Sequence, residues 1–303
     1  MPFIFRPKHR PSRTITTAKG KITYEEIDEK VFRPNNYRLV KHTYPVPTLE
    51  FIDKPSCAKT FNDWLAIAKA SNPFGKPPRQ HSKELENEFL LNGYSLRQEK
   101  YSDNRAVRKP VVWDQITEWM KVPERNLSSI SHYGQDAMAV HYALQDYPVT
   151  NMTGIVLGSE KPWVEVMALR NGAKELWTVE YQETKVVGTN QILIFNPIEF
   201  AERWKEYGDP VDPIGDLREI QKIACLLKPG ALFYLAFERG QDAVLFNIHR
   251  VYGRMRLAMV MTGFEWVATY RGFSPYAIVM QRVHLEYTHP SSHPQDLFVL
   301  RKR

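Results

Sequence analysis

From Thr153 onward, short apolar runs alternate with segments of helical period, which restricts the second half of the chain to few architectures. TGIVLG is apolar throughout and stops at Gly158, the pattern of a parallel strand covered on both faces. WVEVMALRNGA then reads as a helix ending at Gly172, ELWTVEY and NQILIF as strands, and PIEFAERWKEYG as a helix with Pro197 in its first turn. GDLREIQKIACLL follows as a helix capped by Asp216, KPG turns the chain, and ALFYLAF is a further strand. RMRLAMVMTGF, EWVATYRG and DLFVLRKR close the chain as helix, strand, strand. Such alternation predicts an open α/β sheet with helices on both faces.

The first half is different. Residues 1 to about 50 are rich in Pro, Thr, Lys and Arg without a sustained period, and predict an extended basic arm. Helical patterns follow at TFNDWLAIAKA, where Phe61, Trp64, Leu65 and Ala68 share a face, at Ser82 to Leu91 and at Val112 to Met120. The expected organisation is a basic arm and helical accessory region over 1–126 and an α/β domain over 127–303. Of the net charge of +7, residues 1–150 carry +6. That excess lacks stacking aromatics or a nucleic-acid motif beside it, which argues against nucleic acid as a partner.

In an open α/β sheet, ligands bind beyond the carboxyl ends of the strands, and the first strand-to-helix turn needs glycine where backbone approaches the ligand. Here that turn is predicted over Gly154 to Glu160, with Gly154 and Gly158 but no third glycine. Glu180, at the tip of the next strand, stands 22 residues after Gly158, near the spacing at which a carboxylate holds a ribose diol. A tight turn followed by a solvent-facing Glu explains these residues equally well.

The segment YGDPVDPIGDLREIQKIACLLKPGALFYLAF resembles the later half of class I S-adenosylmethionine-dependent methyltransferases, in which a helix, a Lys-Pro-Gly turn and the fifth strand follow one another. More narrowly, the chain resembles the DUF268 family of nematode proteins of unknown function over about Ser131 to Gly263. The blocks GIVLGSEKPWVEVMALRNGAKELWTVEY, YGDPVDPIGDLREI and FNIHRVYG carry that likeness. It implies a Rossmann-like, methyltransferase-type sheet using S-adenosylmethionine on a small-molecule or glycan acceptor. Gly154, Gly158 and Ser159 would lie against the cofactor, the latter two at its methionine part, and Glu180 would hold its ribose. Asp209, Asp212, Asn247, His249 and Arg250 match other polar positions of the family. His249 is the candidate acid or base, Asp209 faces the acceptor, and Arg250 suits an acidic substrate. Local bracing by Asn247 and His249 is the alternative.

One departure bears on activity. Family members carry a fourth strand and a Glu-His turn before the YGDP motif, whereas this chain passes from Trp204-Lys205-Glu206 directly into Tyr207-Gly208-Asp209. The fourth strand is expected to be missing, leaving a gap in the sheet and no Glu-His pair. A non-catalytic derivative of the fold, or an incomplete product, is the alternative to an active enzyme.

Cys57 and Cys225 are too few for a disulfide framework, and Cys225, in an apolar helical run, is expected to be a buried thiol. Asn126-Leu127-Ser128 and Asn151-Met152-Thr153 fit the glycosylation acceptor pattern. With no secretion signal or membrane-length apolar run in the sequence, they read as chance matches, Asn151 beside a buried strand, and the cytoplasm is the default location.

Overall fold

The computed structural model describes residues 13–70, 79–98, 109–196, 212–246, 248–288 and 294–303. The first half contains β1 (Thr14–Thr17), β2 (Gly20–Thr23), β3 (Tyr37–Lys41), β4 (Thr48–Phe51), helix α1 (Cys57–Ala70), β5 (Leu96–Gln98), β6 (Val111–Trp113) and α2 (Met138–Asp146). Then come β7 (Thr153–Leu157), α3 (Trp163–Arg170), β8 (Glu175–Val179), β9 (Thr184–Val186), β10 (Ile192–Phe195) and α4 (Gly215–Leu226). The chain closes with β11 (Leu232–Glu238), β12 (Ala243–Leu245), β13 (His249–Val251), α5 (Arg254–Val260), β14 (Phe264–Tyr270) and β15 (Gln295–Lys302).

The main sheet comes in two halves. β10, β8 and β7 pair in parallel in the order third, second, first, as in a doubly wound fold. β11, β15 and β14 pair in that order, β15 antiparallel to both neighbours. Among the described residues no strand pairs with the remaining edge of β7, and β11 has β15 as its only paired strand. The segment between β10 and α4, which includes the helix predicted over 197–208, lies outside the described residues apart from its ends. β7 is not the strand covered on both faces that its composition predicts: Ile155 is 42% exposed.

Helices cover both faces, and β15 displays this through its period of two. Leu297 and Val299 pack with α2 and α3 residues such as Leu144 and Val166. Phe298 and Leu300 face the opposite cluster, with Leu217 and Ile220 of α4 and Leu257 of α5. All four β15 side chains are 3% exposed or less, so this strand is the centre of the core.

The N-terminal region departs from expectation. Residues 14–51 form two antiparallel hairpins, β1–β2 and β3–β4, rather than a loose arm. Their Ile15 and Tyr37, with Tyr24 and Phe32 between the hairpins, are buried in the same cluster as α4, α5 and β15. Residues on both sides of position 126 therefore share one core. Val111–Trp113 is a strand parallel to β9, and the helix predicted there is reduced to Ile116–Trp119. Asp216 is not the cap of α4, because the cap position is Ile214, whose N–H donates to Asp212 Oδ1 at 3.1 Å.

α5 starts through a buried carboxylate. Asp242 is 1% exposed and accepts backbone N–H bonds from Gly253 (3.0 Å), Met255 (3.0 Å) and Arg256 (2.9 Å). These donors have no partner inside the helix, and an anion there also meets the positive end of the helix dipole. A Cβ on Gly253 would stand 2.5 Å from both the Asp242 N and Oδ2. Gly253→Ala is expected to lower stability by about 1 to 3 kcal/mol through this clash, read as a reduced urea midpoint at unchanged slope.

Candidate ligand site at the carboxyl end of the sheet

β7 ends at Leu157, and Gly158 turns the chain at φ +68°, its N–H bonded to Val179 O of β8 at 3.1 Å. The turn therefore begins at Gly158 and not at Gly154. Gly154 lies within β7, where a Cβ would come 3.1 Å from Leu176 Cδ2, so its smallness serves strand packing.

Beyond the turn lies a cavity of about 230 Å³, lined among others by Gly158, Ser159, His132, Tyr133, Trp163 and Asp296. Its walls come from the carboxyl end of β7, the start of α3, the segment before α2, Ala236 near the end of β11 and the start of β15. The crevice thus opens at the carboxyl ends of β7 and β11, the end of the strands at which open α/β sheets bind ligands. Tyr133 and Trp163 meet edge to face across it, ring centres 5.9 Å apart. Burial, with Glu238 and Glu160 nearby, raises the Tyr133 phenol, which remains a hydrogen-bond donor at neutral pH.

Beneath the turn sits a carboxyl group that the sequence does not announce. Glu165 is fully buried in α3, with Ser159 Oγ 3.0 Å from its Oε2 and Thr178 Oγ1 donating to its Oε1 at 2.8 Å. Burial pushes the Glu165 carboxyl up to about 7, against the opposing pull of the Thr178 and Ser159 hydroxyls. Ser159 Oγ also lies 2.9 Å from Lys161 O, and one hydroxyl hydrogen serves only one acceptor. With Glu165 protonated, Glu165 donates to Ser159 and Ser159 donates to Lys161 O. Ser159 is thus both a wall of the cavity and the pin of its turn.

Between the ordinary carboxyl value of 4.5 and about 7, the unfolded chain releases the Glu165 proton while the folded chain keeps it. Stability on this account falls as pH rises through that window and stays at the lower level above it. Glu165→Gln removes the dependence. The variant is expected to gain about 2 to 3 kcal/mol on the wild type between about pH 4 and pH 8, measured by urea unfolding at both.

The other sequence-derived candidates that the structure describes lie apart from the cavity. Glu180 follows β8 directly, and its Oε1 accepts the N–H groups of Tyr181 (2.7 Å) and Gln182 (3.2 Å), outside the cavity lining. His249 is half-buried in β13, opposite Leu245 of β12, in a separate small sheet with β5. Asp209 and Asn247 lie outside the described residues. Arg250 donates to the carbonyls of Asp212 (3.2 Å) and Pro213 (3.1 Å), and Asp212 pairs with Arg218 Nε at 2.7 Å. Asp216 pairs with Arg256 at 2.6 Å. Burial opposes ionisation of Asp216, yet Arg256 and Arg250 hold its carboxyl below the usual range. The polar residues of the VDPIGDLREI stretch thus brace the start of α4 against β13 and α5.

Of the six candidates, Gly158 and Ser159 come together at the cavity. His132, Tyr133 and Asp296 line it unannounced, although His132 and Tyr133 stand at the start of the stretch that carries the family likeness.

The described residues contain no cluster suited to a metal ion, and no helix among them is long and apolar enough to cross a membrane. None of the curated proteins matches the chain by sequence. Solved structures match it in part. One from Streptococcus thermophilus, described as a hemolysin, is 17% identical over 55% of this chain and 65% of that one, TM-score 0.35. A protein from Streptococcus mutans described as a SAM-dependent methyltransferase is 14% identical over 55% and 48%, TM-score 0.36. Another, described as a methyltransferase complexed with SAH, is 12% identical over 55% and 49%, TM-score 0.35. The chain thus spans from about half to just under two thirds of these proteins. Family membership rests instead on sequence: two matched segments, 151–209 and 205–303, together cover half of the chain, which belongs to the family described as Caenorhabditis protein of unknown function, DUF268.

Proposed function

We propose that this protein is an S-adenosylmethionine-dependent methyltransferase whose acceptor is a small molecule or a glycan. The observation that carries the reading is the crevice beyond Gly158, at the carboxyl ends of β7 and β11. At about 230 Å³ it is smaller than the roughly 300 Å³ at which ligand-enclosing sites begin, so it suits the methionine end of the cofactor and leaves the nucleoside outside. Gly158 and Ser159 would hold that end. Glu180 would take the ribose; the bond from Gly158 N–H to Val179 O keeps the tip of β8 beside the turn. His249 would be the acid or base and Asp209 the acceptor contact, although His249 belongs to a separate sheet and His132 and Tyr133 line the cavity itself. S-adenosylmethionine supplies a methyl group activated on a sulfonium, so the protein's task is chiefly to hold the acceptor in line with it.

One observation favours a second reading, a protein that binds the ligand without turning it over. Among the described residues, no strand pairs with the edges of β7 and β11 that would flank a fourth strand. Calorimetric titration with S-adenosylmethionine and S-adenosylhomocysteine tests both readings. Binding at about micromolar affinity, weakened at least about tenfold by Glu180→Ala, is the expected result and corresponds to a loss of about 1.4 kcal/mol. No binding by the folded wild type overturns both; binding with no methyl transfer to any acceptor offered selects the second.

A further inference from the structure

Two features that the ligand site does not use bear on where the chain matures. The first is a disulfide. Cys57 opens α1, Cys225 lies in the last turn of α4, and their sulfurs are bonded, with Cα atoms 5.8 Å apart and 168 residues between them. The expectation of a buried thiol is overturned, because two helices distant in sequence pack side by side and bring the pair together. Cys57 is exposed and Cys225 half-buried, so the surrounding redox couple reaches the bridge. A glutathione-buffered compartment keeps such a pair reduced, whereas an oxidising one keeps it closed.

The second feature is independent of the first. Asn126 and Asn151 each begin an Asn-x-Ser/Thr triplet whose middle residue, Leu127 or Met152, is not proline. Both asparagines are exposed, and Met152 beside Asn151 is 54% exposed, so the buried surroundings expected at Asn151 are absent. Asn126 lies in the short helical turn Glu124–Ile130, and Asn151 sits at φ +58° in the turn before β7. Both positions leave room for a bulky, hydrated substituent without displacing core.

We propose that this chain matures in an oxidising, glycosylating compartment, where Cys57 and Cys225 are bridged and Asn126 and Asn151 carry N-linked oligosaccharide. In the first reaction the two thiols lose two protons and two electrons to the disulfide of a protein oxidoreductase, which leaves as a dithiol. In the second, each asparagine amide nitrogen bonds to the anomeric carbon of a lipid-pyrophosphate-linked oligosaccharide and loses a proton, and the lipid pyrophosphate departs.

The test is peptide mapping of the full-length protein isolated from its own cells under alkylating, non-reducing conditions. One portion is treated with a peptide-N-glycosidase in heavy-oxygen water. The expected result is a cross-linked Cys57–Cys225 peptide pair, with labelled aspartate at 126 and 151 after glycan release. Alkylated cysteines together with unmodified asparagines overturn the proposal and return the protein to a reducing compartment. A closed bridge with both asparagines bare overturns the glycosylation, and alkylated cysteines beside glycosylated asparagines overturn the bridge. Label at one position alone overturns the assignment of the other.

Discussion

Serine at both Cys57 and Cys225 is expected to lower the unfolding free energy by up to about 5 kcal/mol, the chain-entropy value for a closed loop on the order of 170 residues. The bridge spans 168 residues of sequence, so most of the unfolded ensemble is constrained by it. The folded state should keep its shape, because α1 also holds α4 by other means. Trp64 is 2% exposed, with Lys222 Nζ 4.2 Å from its ring centre, and Lys222 pairs with Glu219 at 2.7 Å. Urea unfolding of the double variant and of the wild type, each with and without reductant, checks this. Reductant should bring the wild type to the variant's midpoint and leave the variant unmoved. Equal midpoints throughout would show that the bridge contributes nothing.

Asp296→Ala is expected to cost about 3 to 5 kcal/mol, the range for removing one partner of a buried ion pair. Asp296 is 2% exposed at the start of β15 and serves two cations, pairing with Arg239 Nε and accepting from Arg271 Nε at 2.7 Å and Nη2 at 2.8 Å. Arg239 is itself 8% exposed, and truncation of Asp296 leaves its charge without a counterion. Thermal unfolding should show a large drop for Asp296→Ala and a smaller one for Arg271→Ala, because the Arg271 side chain is 32% exposed and recovers hydration. Similar losses in the two variants would contradict this account.

How much of this was legible in the sequence depends on the range over which a signal acts. Strands β8, β10, β11 and β15 are apolar runs long enough to be read locally, and α3 and α4 have the apolar spacing of helices packed on one side. The hairpins of residues 14–51 are four or five residues per strand, polar on one side, and interrupted by Pro and Lys, so no period builds up. What buries Ile15 and Tyr37 is contact with α4, α5 and β15, hundreds of residues away, which local composition does not encode. The cysteine pair is hidden for the same reason, since spacing says little about pairing across 168 residues. Glu165 is not legible locally, because beside the apolar stripe of Trp163, Val166, Met167 and Leu169 a carboxylate reads as solvent-facing, and only the fold brings Thr178 and Ser159 to enclose it. The glycine turn is legible, but a helical period does not indicate where the residues before the helix lie in space, so the place of His132 and Tyr133 at the cavity is not.

Arg254, 2% exposed, donates to Pro45 O, to Thr14 O at 2.9 Å, to Glu286 at 2.8 Å and to the Tyr24 hydroxyl. Thr16 bonds to the same Glu286 through its own hydroxyl at 2.9 Å. One guanidinium thereby fastens both N-terminal hairpins to α5 and to the helical turn that precedes β15. The hairpins are thus not a cassette that recombination could trade or a protease could trim without consequence. The carbonyls of Thr14 and Pro45 survive any substitution, but a lineage that replaced Tyr24 or Thr16 would strip a partner from Arg254 or Glu286, so these four positions are bound to drift together.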